Sequence, residues 1–309
     1  MSDNAREVEI GSPIRSLNWR TVDLRAIAEP IAIASPLALI VSAQEPVMAS
    51  VAILFLVHSW REGDWAWLGR GWFRAALALW LYALLRTLVL NPTATGALTA
   101  LHEIHYSVYA AALAEWILPR PQARERLLWT TVATVTFYAL DCLLQFAIGR
   151  DIIGRPWYHG GRLTSIFGKP GVGAELGWLY LPATIGLWRK GYPWLAGALG
   201  LASVTAVLLT GDRMGLLIAL SAILLFAIAA RPVRKTLLIA LPAFAAVLAV
   251  VLYFNPAIYE RQVATTAETI HRVDESVYGL VFITSLRVTR DHPLFGVGVR
   301  DYQAFCLED

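Results

Sequence analysis

The sequence is poor in charged residues and in cysteine. Charged residues make up 16% of the 309 residues, whereas hydrophobic residues make up 57%, and the mean hydropathy is +0.54. Soluble domains carry about 25% charged residues. This composition therefore argues against two soluble domains and favours one membrane unit. The net charge of +3 is too small to indicate a nucleic-acid partner.

The two cysteines, Cys142 and Cys306, are far apart in the sequence. Such a pair provides neither a disulfide framework nor a metal cluster. Residues 1–23 contain no apolar run of the signal-peptide type. Membrane insertion is therefore expected to depend on the internal hydrophobic segments.

Long apolar runs predict an all-α, polytopic transmembrane helical bundle. A helix needs about 20 apolar residues to cross the hydrocarbon core. Segments that approach this length are predicted as nine spans at 26–43, 46–60, 72–90, 98–118, 127–149, 171–188, 193–210, 214–230 and 236–254. Only Gln44-Glu45-Pro46 separates the first two spans, which predicts a tight hairpin. The chain then divides into a cytoplasmic segment (1–25), a transmembrane domain (26–254) and a partial periplasmic loop with helices (255–309).

The distribution of basic residues predicts the orientation of this bundle. Cytoplasmic loops are enriched in lysine and arginine. If the N-terminus is cytoplasmic, most basic residues fall in the inside segments 1–25, 61–74, 119–126, 189–190 and 231–235. The short outside segments 44–46 and 91–97 contain none. This pattern favours a cytoplasmic N-terminus.

Later outside segments break this trend, because they also contain basic residues. These are Arg150, Arg155, Arg162, Lys169, Arg213, Arg261, Arg272, Arg287, Arg290 and Arg300. Two explanations stay open. Long loops translocate regardless of their charge, or the residues form a cationic surface for an anionic ligand such as a phosphate.

Ionisable residues inside predicted spans are energetically costly and point to function. They are Arg86, His102, Glu103, His105, Glu115, Asp141 and Glu175, most of them towards the predicted outer side. Arg86 is expected to pair with Glu103 across the hairpin of the third and fourth spans. Asp141 and Glu175 are candidates for orienting the outside arginines. A proton or ion path through the carboxylates is the alternative. His102 and His105 share one helical face but would need a further ligand to bind a metal.

Three outside segments contain motifs that stand in a fixed order. GGRLTSIFGKPGVGAELGWLYLP at 160–182 places an arginine and a Phe-Gly-Lys-Pro turn before an apolar helix. LLTGDRMGLLIAL at 208–220 places Arg213 at a span boundary. SLRVTRDHPLFGVGVRDY at 285–302 ends in the turn HPLFGVG, in which His292, Gly296 and Gly298 are expected to be structural.

Together these motifs resemble those of the O-antigen ligase and O-antigen polymerase superfamily of bacterial inner-membrane glycosyltransferases. The resemblance covers about 160–302. Lys169 stands where the family often has Asn, and Asp212 where it often has Ser. The family also has a His further along the periplasmic loop, followed by three more spans. Both would lie beyond Asp309, so the chain is expected to be a C-terminally truncated member.

The resemblance implies transfer of a glycan from a polyprenyl-diphosphate carrier to an acceptor hydroxyl at the periplasmic face. The acceptor would be lipid A core for a ligase and a growing glycan for a polymerase; a protein acceptor is a third possibility. Arg213 and Arg287 are the implied catalytic residues, and Arg162, Arg290 and Lys169 the implied substrate-binding residues. Arginine side chains can stabilise the negative charge that develops on a departing diphosphate. No metal or other cofactor is therefore expected.

Two alternatives belong to other classes of protein. A membrane transporter or flippase would use Arg86, Glu103, Asp141 and Glu175 as its path. An inactive fragment would lack the catalytic His. In the ligase interpretation those four residues are structural supports, and the other expected partners are membrane lipids.

Overall fold

The computed structural model describes residues 22–39, 43–90, 94–158, 161–229, 248–254, 256–272 and 277–293, together with Gly296 and the helical positions 242, 245 and 246. Within these residues the fold is all-α, and the β pairing consists of two isolated bridges in the loop 149–171. The all-α prediction is confirmed for this part of the chain. Ten of the 19 positions of the predicted span 236–254 belong to the described residues and are helical, whereas Gly298 lies outside them.

The helices follow the predicted order. They are α1 (Leu24–Ala38), α2 (Gln44–Glu62), α3 (Gly71–Leu90), α4 (Ala94–His102), α5 (Ile104–Ala111), α6 (Pro121–Ile148), α7 (Val172–Arg189), α8 (Pro193–Leu209), α9 (Arg213–Ala229), α10 (Pro256–Tyr259), α11 (Thr265–His271) and α12 (Val277–Asp291). π-Helical turns at Ala112–Ile117 and Glu260–Ala264 extend α5 and join α10 to α11. The helices α10, α11 and α12 agree with the prediction that the segment 255–309 contains helices.

Two predictions of helix boundaries were wrong. Gln44, Glu45 and Pro46 form the first turn of α2 rather than a loop, which is compatible with proline because the first N–H groups of a helix have no intrahelical partner. The predicted span 98–118 is not one helix, since α4 ends at His102 and α5 begins at Ile104. A ring nitrogen of His105 contacts the carbonyl oxygen of His102 at this break, and a side chain inserted into the hydrogen-bond ladder is a known cause of a kink.

Ion pairs show which helix ends lie at the same end of the bundle. Glu29 near the start of α1 binds Arg120 and Arg126 at the start of α6. Arg70, just before α3, binds Glu115 in the turn that ends α5. We call this the ion-pair end of the bundle. The opposite end, called the loop end, contains the loop 149–171, the turn 210–212 and the first turns of α2, α7 and α9.

The described helices pack around two apolar cores. One includes Phe55, Trp67 and Trp116 and joins α1, α2, α3 and α5. The other includes Tyr138 and Leu176 and joins α6, α7, α8 and α9. The second core supports most of the loop end, including the segments that contain the first two sequence motifs.

The outer surface of the bundle is strongly apolar. Leu81, Leu85 and Val89 form an exposed stripe along α3, with Val89 77% exposed. Contiguous apolar surface of this kind is rare on water-soluble monomers. Among the described residues, two helices, Gly71–Val89 and Pro121–Ile148, are long and apolar enough to cross a membrane. These features indicate membrane association, whereas the nine-span count stays a prediction.

Glu29→Gln is expected to lower the Tm of the detergent-solubilised protein. Glu29 is 9% exposed and accepts from Arg120 at 3.3 Å and from Arg126 at 3.5 Å, which ties α1 to α6. Because both arginines are more than half exposed, the loss should be about 1 kcal/mol rather than the larger value of a fully buried pair. Thermal unfolding followed by tryptophan fluorescence measures the change.

Glu62→Gln is the matched control, because Glu62 is exposed at the end of α2. Its Tm should equal that of the unaltered protein. Equal Tm values for the two variants would show that the Glu29 pairs contribute nothing to the packing of α1 on α6.

Candidate functional site

The loop 149–171 is held on α6 by two polar side chains that lie one helical turn apart. One oxygen of Asp141 accepts from the Ile152 N–H at 2.7 Å, and the other accepts from the Ser165 hydroxyl. The side-chain oxygen of Gln145 accepts from the N–H groups of Thr164 and Ser165 at 2.9 and 3.0 Å. Both limbs of the loop are therefore fixed to the same face of α6.

Asp141 thus acts on the loop itself rather than on an arginine side chain. Gln145, which the sequence analysis did not select, also donates towards the carbonyl oxygens of Arg155 and Pro156. Asp141 and Gln145 are four residues apart, which places them on one helical face. That spacing of two polar residues in an apolar helix is the sequence signal that was missed.

Within the loop 149–171, Arg162 and Lys169 differ in their exposure to solvent. Tyr158 and Arg162 form an isolated bridge, and their backbone groups exchange hydrogen bonds of 2.9 and 3.3 Å. Arg162 is half-buried, and the next residue, Leu163, belongs to the apolar core and is 2% exposed. Lys169 is exposed. Arg155 donates to the Ile166 carbonyl oxygen and thereby closes the loop internally.

The first two sequence motifs meet through glycines. A Cβ placed on Gly215 would lie 2.5 Å from the carbonyl carbon of Gly173, and a Cβ on Gly173 would lie 2.6 Å from the Thr210 hydroxyl oxygen. A Cβ on Gly177 would lie 2.9 Å from the Gly215 carbonyl oxygen. Side chains at these positions would force α7 and α9 apart. The glycines therefore bring the first turns of the two helices into backbone contact.

Asp212 and Arg213 occupy the start of α9. One oxygen of Asp212 accepts from the N–H groups of Met214 and Gly215 at 3.1 and 3.2 Å. Asp212 is thus the N-cap of α9, a role that serine fills equally well. Arg213 is the next residue and is half-buried. Its guanidinium makes no hydrogen bond or ion pair with the described residues.

Part of the third motif meets α3. Arg86 donates to the carbonyl oxygen of Gly296. Gly296 has φ +59°, and its N–H donates to the His292 carbonyl oxygen at 3.0 Å, so the described part of HPLFGVG is a turn. Arg287 and Arg290 are exposed on α12. The role of Arg86 therefore includes a contact with this turn, which sequence reasoning did not foresee.

The two remaining predicted carboxylates have different surroundings. Glu103 is exposed between α4 and α5, and its expected pairing with Arg86 stays a prediction. Glu175 lies half-buried in the first turn of α7. Neither side chain binds an outside arginine in the part of the chain that the structure describes.

Within the described part of the chain, several cations at the ion-pair end bind carboxylates, whereas three cations at the loop end do not. Besides the Glu29 pairs, Lys190 binds Glu125 at 2.9 Å. Arg70 binds Glu115 at 2.7 Å, and this hydrogen bond raises the pKa of Arg70. At the loop end, Arg162, Lys169 and Arg213 have no acidic partner among the described residues. These cations are therefore free to bind an anion.

The loop end also contains residues that can bind a metal. Glu45 lies close to His102 and His105, with one donor atom of each within 4.8 Å of the others. Glu45 supplies the further ligand that the two histidines needed. Sequence reasoning missed it because Glu45 was assigned to a loop, although it is predicted at the same membrane level as the histidines.

Comparison of this chain with protein families, curated proteins and solved structures gives no match.

Gly215→Ala is expected to destabilise the protein, whereas Gly197→Ala is not. A methyl group on Gly215 would collide with the backbone of Gly173, and overpacking of this kind costs about 1–3 kcal/mol. Gly197, in the neighbouring helix α8, has no atom within 4 Å of the position that a methyl group would take. There, alanine should raise stability by up to about 1 kcal/mol, because glycine is a poor helix former.

The Tm of both variants in the same detergent provides the measurement. A Gly215→Ala variant as stable as Gly197→Ala would mean that α7 and α9 are not in close backbone contact.

Proposed function

We propose that this chain is a membrane-embedded glycosyltransferase of the O-antigen ligase type. Its loop end binds a polyprenyl-diphosphate-linked glycan, whose glycan is moved to an acceptor hydroxyl. The observation that carries this proposal is the glycine contact between the first two motifs. It sets the uncompensated Arg213 beside the first turn of α7, directly after the loop that contains Arg162 and Lys169.

The chemistry of transfer suits this arrangement. The acceptor oxygen attacks the anomeric carbon, the bond from that carbon to the diphosphate oxygen breaks, and the acceptor proton passes to a base. Negative charge develops on the departing diphosphate, and preorganised cations stabilise it. Arginine can bind two phosphate oxygens at once through its planar guanidinium, which lysine cannot do. Arg213 is assigned to the diphosphate, with Arg162 and Lys169 as further donors.

The motif on α12 supplies the other proposed residues. Arg287 is assigned as the second catalytic cation, and Arg290 as a substrate-binding residue. The hydrogen bond from Arg86 to Gly296 ties the turn after α12 to α3. The acceptor distinguishes a ligase from a polymerase, and lipid A core is the proposed one.

Transport is the less favoured alternative. A path through the bundle would need Asp141 to exchange ions or protons with its neighbours. Both of its carboxylate oxygens already accept hydrogen bonds from the loop 149–171. Arg86 is likewise engaged with the Gly296 carbonyl oxygen. Two of the four residues that such a path would use are therefore committed to holding loops.

The proposed setting is a bacterial inner membrane, crossed about nine times, with the N-terminus in the cytoplasm. The ion-pair end, which contains the basic segments 61–74, 119–126 and 189–190, would then face the cytoplasm. This agrees with the enrichment of arginine and lysine in cytoplasmic loops. The loop end would face the periplasm, where the glycan carrier presents its diphosphate.

Arg213→Ala is expected to weaken diphosphate binding by at least about tenfold. Charge-assisted hydrogen bonds contribute about 1.5–3 kcal/mol, and about 1.4 kcal/mol corresponds to a factor of ten in Kd. The protein is reconstituted in nanodiscs, and its Kd for farnesyl diphosphate is measured by isothermal titration calorimetry. Arg213→Lys should give an intermediate Kd, because it keeps the charge but loses bidentate binding.

Arg150→Ala is the matched control, since Arg150 is exposed at the same end of the bundle and the variant has the same net charge. Its Kd should stay within about twofold of the unaltered value. An equal loss of affinity in both variants would mean that the effect comes from general surface charge. An unaltered Kd in Arg213→Ala would mean that Arg213 does not belong to the binding site.

Cysteine labelling tests the proposed orientation. In a Cys142→Ala, Cys306→Ser background, Ile152→Cys adds a thiol at the loop end and Glu62→Cys adds one at the opposite end; both positions are exposed. A membrane-impermeant maleimide applied to intact spheroplasts should label Ile152→Cys but not Glu62→Cys, because the bilayer excludes it. After permeabilisation both should react. The reverse pattern in intact spheroplasts would invert the topology.

A further inference from the structure

We propose that Glu45, His102 and His105 form a binding site for one divalent transition metal ion of the Zn²⁺ type. The site lies at the loop end, where the first turn of α2 meets the break between α4 and α5. It shares no residue with the proposed diphosphate site. Its existence therefore does not depend on glycan transfer.

The distances between the three side chains match metal coordination. His105 Nε2 lies 3.2 Å from Glu45 Oε2, and His102 Nε2 lies 3.9 Å from the same oxygen. Zinc binds imidazole nitrogen and carboxylate oxygen at about 2.0–2.2 Å, so two ligands at the tetrahedral angle are about 3.4 Å apart. An ion placed among the three donors requires only small side-chain movements.

The hydrogen bonding of His105 directs a lone pair into the site. Its Nδ1 contacts the carbonyl oxygen of His102, and a carbonyl oxygen can only accept a hydrogen bond, so Nδ1 carries the proton. In the neutral tautomer with its proton on Nδ1, the lone pair of Nε2 faces Glu45 Oε2. Both atoms are enclosed, and neither has a hydrogen-bond partner among the described residues. Two acceptors that face each other at 3.2 Å need a positive species between them.

The carboxylate of Glu45 is oriented in the same way. The hydroxyl of Tyr106 donates to its Oε1, which leaves Oε2 directed at the histidines. Metal ligands are typically held by such outer hydrogen bonds, which fix the tautomer of the histidine and the rotamer of the carboxylate. Here one backbone carbonyl group and one tyrosine fulfil that role for two of the three ligands.

A metal ion would bind all three side chains at once, whereas a single proton on His105 would satisfy only His105 Nε2 and Glu45 Oε2. The rings of His102 and His105 are 4.2 Å apart, so protonating both would place two like charges side by side. A metal ion binds both rings in their neutral form. Two imidazoles and one carboxylate suit Zn²⁺ and similar ions, whereas Mg²⁺ and Ca²⁺ prefer oxygen ligands. The His102 side chain is 55% exposed, which leaves room for a water molecule as fourth ligand.

Metal binding would connect segments that are distant in sequence. Glu45 belongs to α2, His102 ends α4, and His105 lies in the first turn of α5. An ion shared by the three would hold α2 against the break between α4 and α5. The expected consequence is a more stable bundle when the ion is bound, since a ligand that binds only the folded state raises Tm.

The test uses protein purified through an affinity tag that contains no histidine and stripped with EDTA. Isothermal titration with ZnCl₂ is expected to give one site per chain, and scanning fluorimetry a higher Tm with Zn²⁺. His105→Ala and Glu45→Gln should each weaken Zn²⁺ binding at least about tenfold. Glu45→Gln keeps an oxygen for Tyr106 and therefore retains the fold if His105→Ala does not.

His271→Ala is the matched control, because His271 is an exposed histidine at the end of α11. It should bind Zn²⁺ like the unaltered protein. Absence of Zn²⁺ binding by the folded unaltered protein would overturn the proposal and leave a proton between His105 and Glu45. Binding that survives both His105→Ala and Glu45→Gln would overturn it as well. Farnesyl diphosphate binding is measured in the same EDTA-treated sample. It tests the proposed function independently of the proposed metal site.

Discussion

The backbone contact between Gly173 and Gly215 is the constraint on which the loop end depends. It brings the first turn of α7 against the first turn of α9 with no side chain between them. The position of Arg213, which begins α9, follows from it. So does the position of the loop 149–171, because that loop enters α7 directly and is fixed at its other end by Asp141 and Gln145 on α6. Two glycines and two polar side chains thus determine where the basic residues of this end lie.

The order of the helices was largely predictable, because it depends on local sequence. Apolar length and basic loop residues predicted helices close to α3, α6, α7, α8 and α9. The break after His102 was not predicted, since no proline or glycine marks it and it coincides with a contact between His105 and the backbone. The role of Asp212 as the N-cap of α9 is consistent with its residue type alone. The contact of Arg86 with Gly296 spans more than half of the chain, and no local pattern encodes such a contact.

The residues of the candidate sites also differ in how far local sequence could predict them. Arg162, Lys169 and Arg213 were selected from motifs, because each stands beside a turn or a helix boundary that the sequence reveals. Glu45 was not selected, since it became a potential ligand only when α2 packed beside α5. The carboxylate of Asp141 was recognised as costly in an apolar helix, but its partners are loop groups whose approach depends on the tertiary fold. Sequence therefore identified which residues are unusual, and packing decided what each one binds.

The position of Arg213 argues against a purely structural role. A helix N-terminus carries partial positive charge, so a cation in the first turn loses about 0.3–1 kcal/mol relative to the last turn. An arginine that merely reaches the headgroups could do so from the last turn of a neighbouring helix, where the dipole would favour it. The carboxylate of Asp212, which caps Met214 and Gly215, offsets part of this penalty. A residue whose charge is unfavourable at its place in a helix is typical of a functional position. An anion bound beside Arg213 would remove the conflict, because it would interact favourably with both the guanidinium and the helix N-terminus.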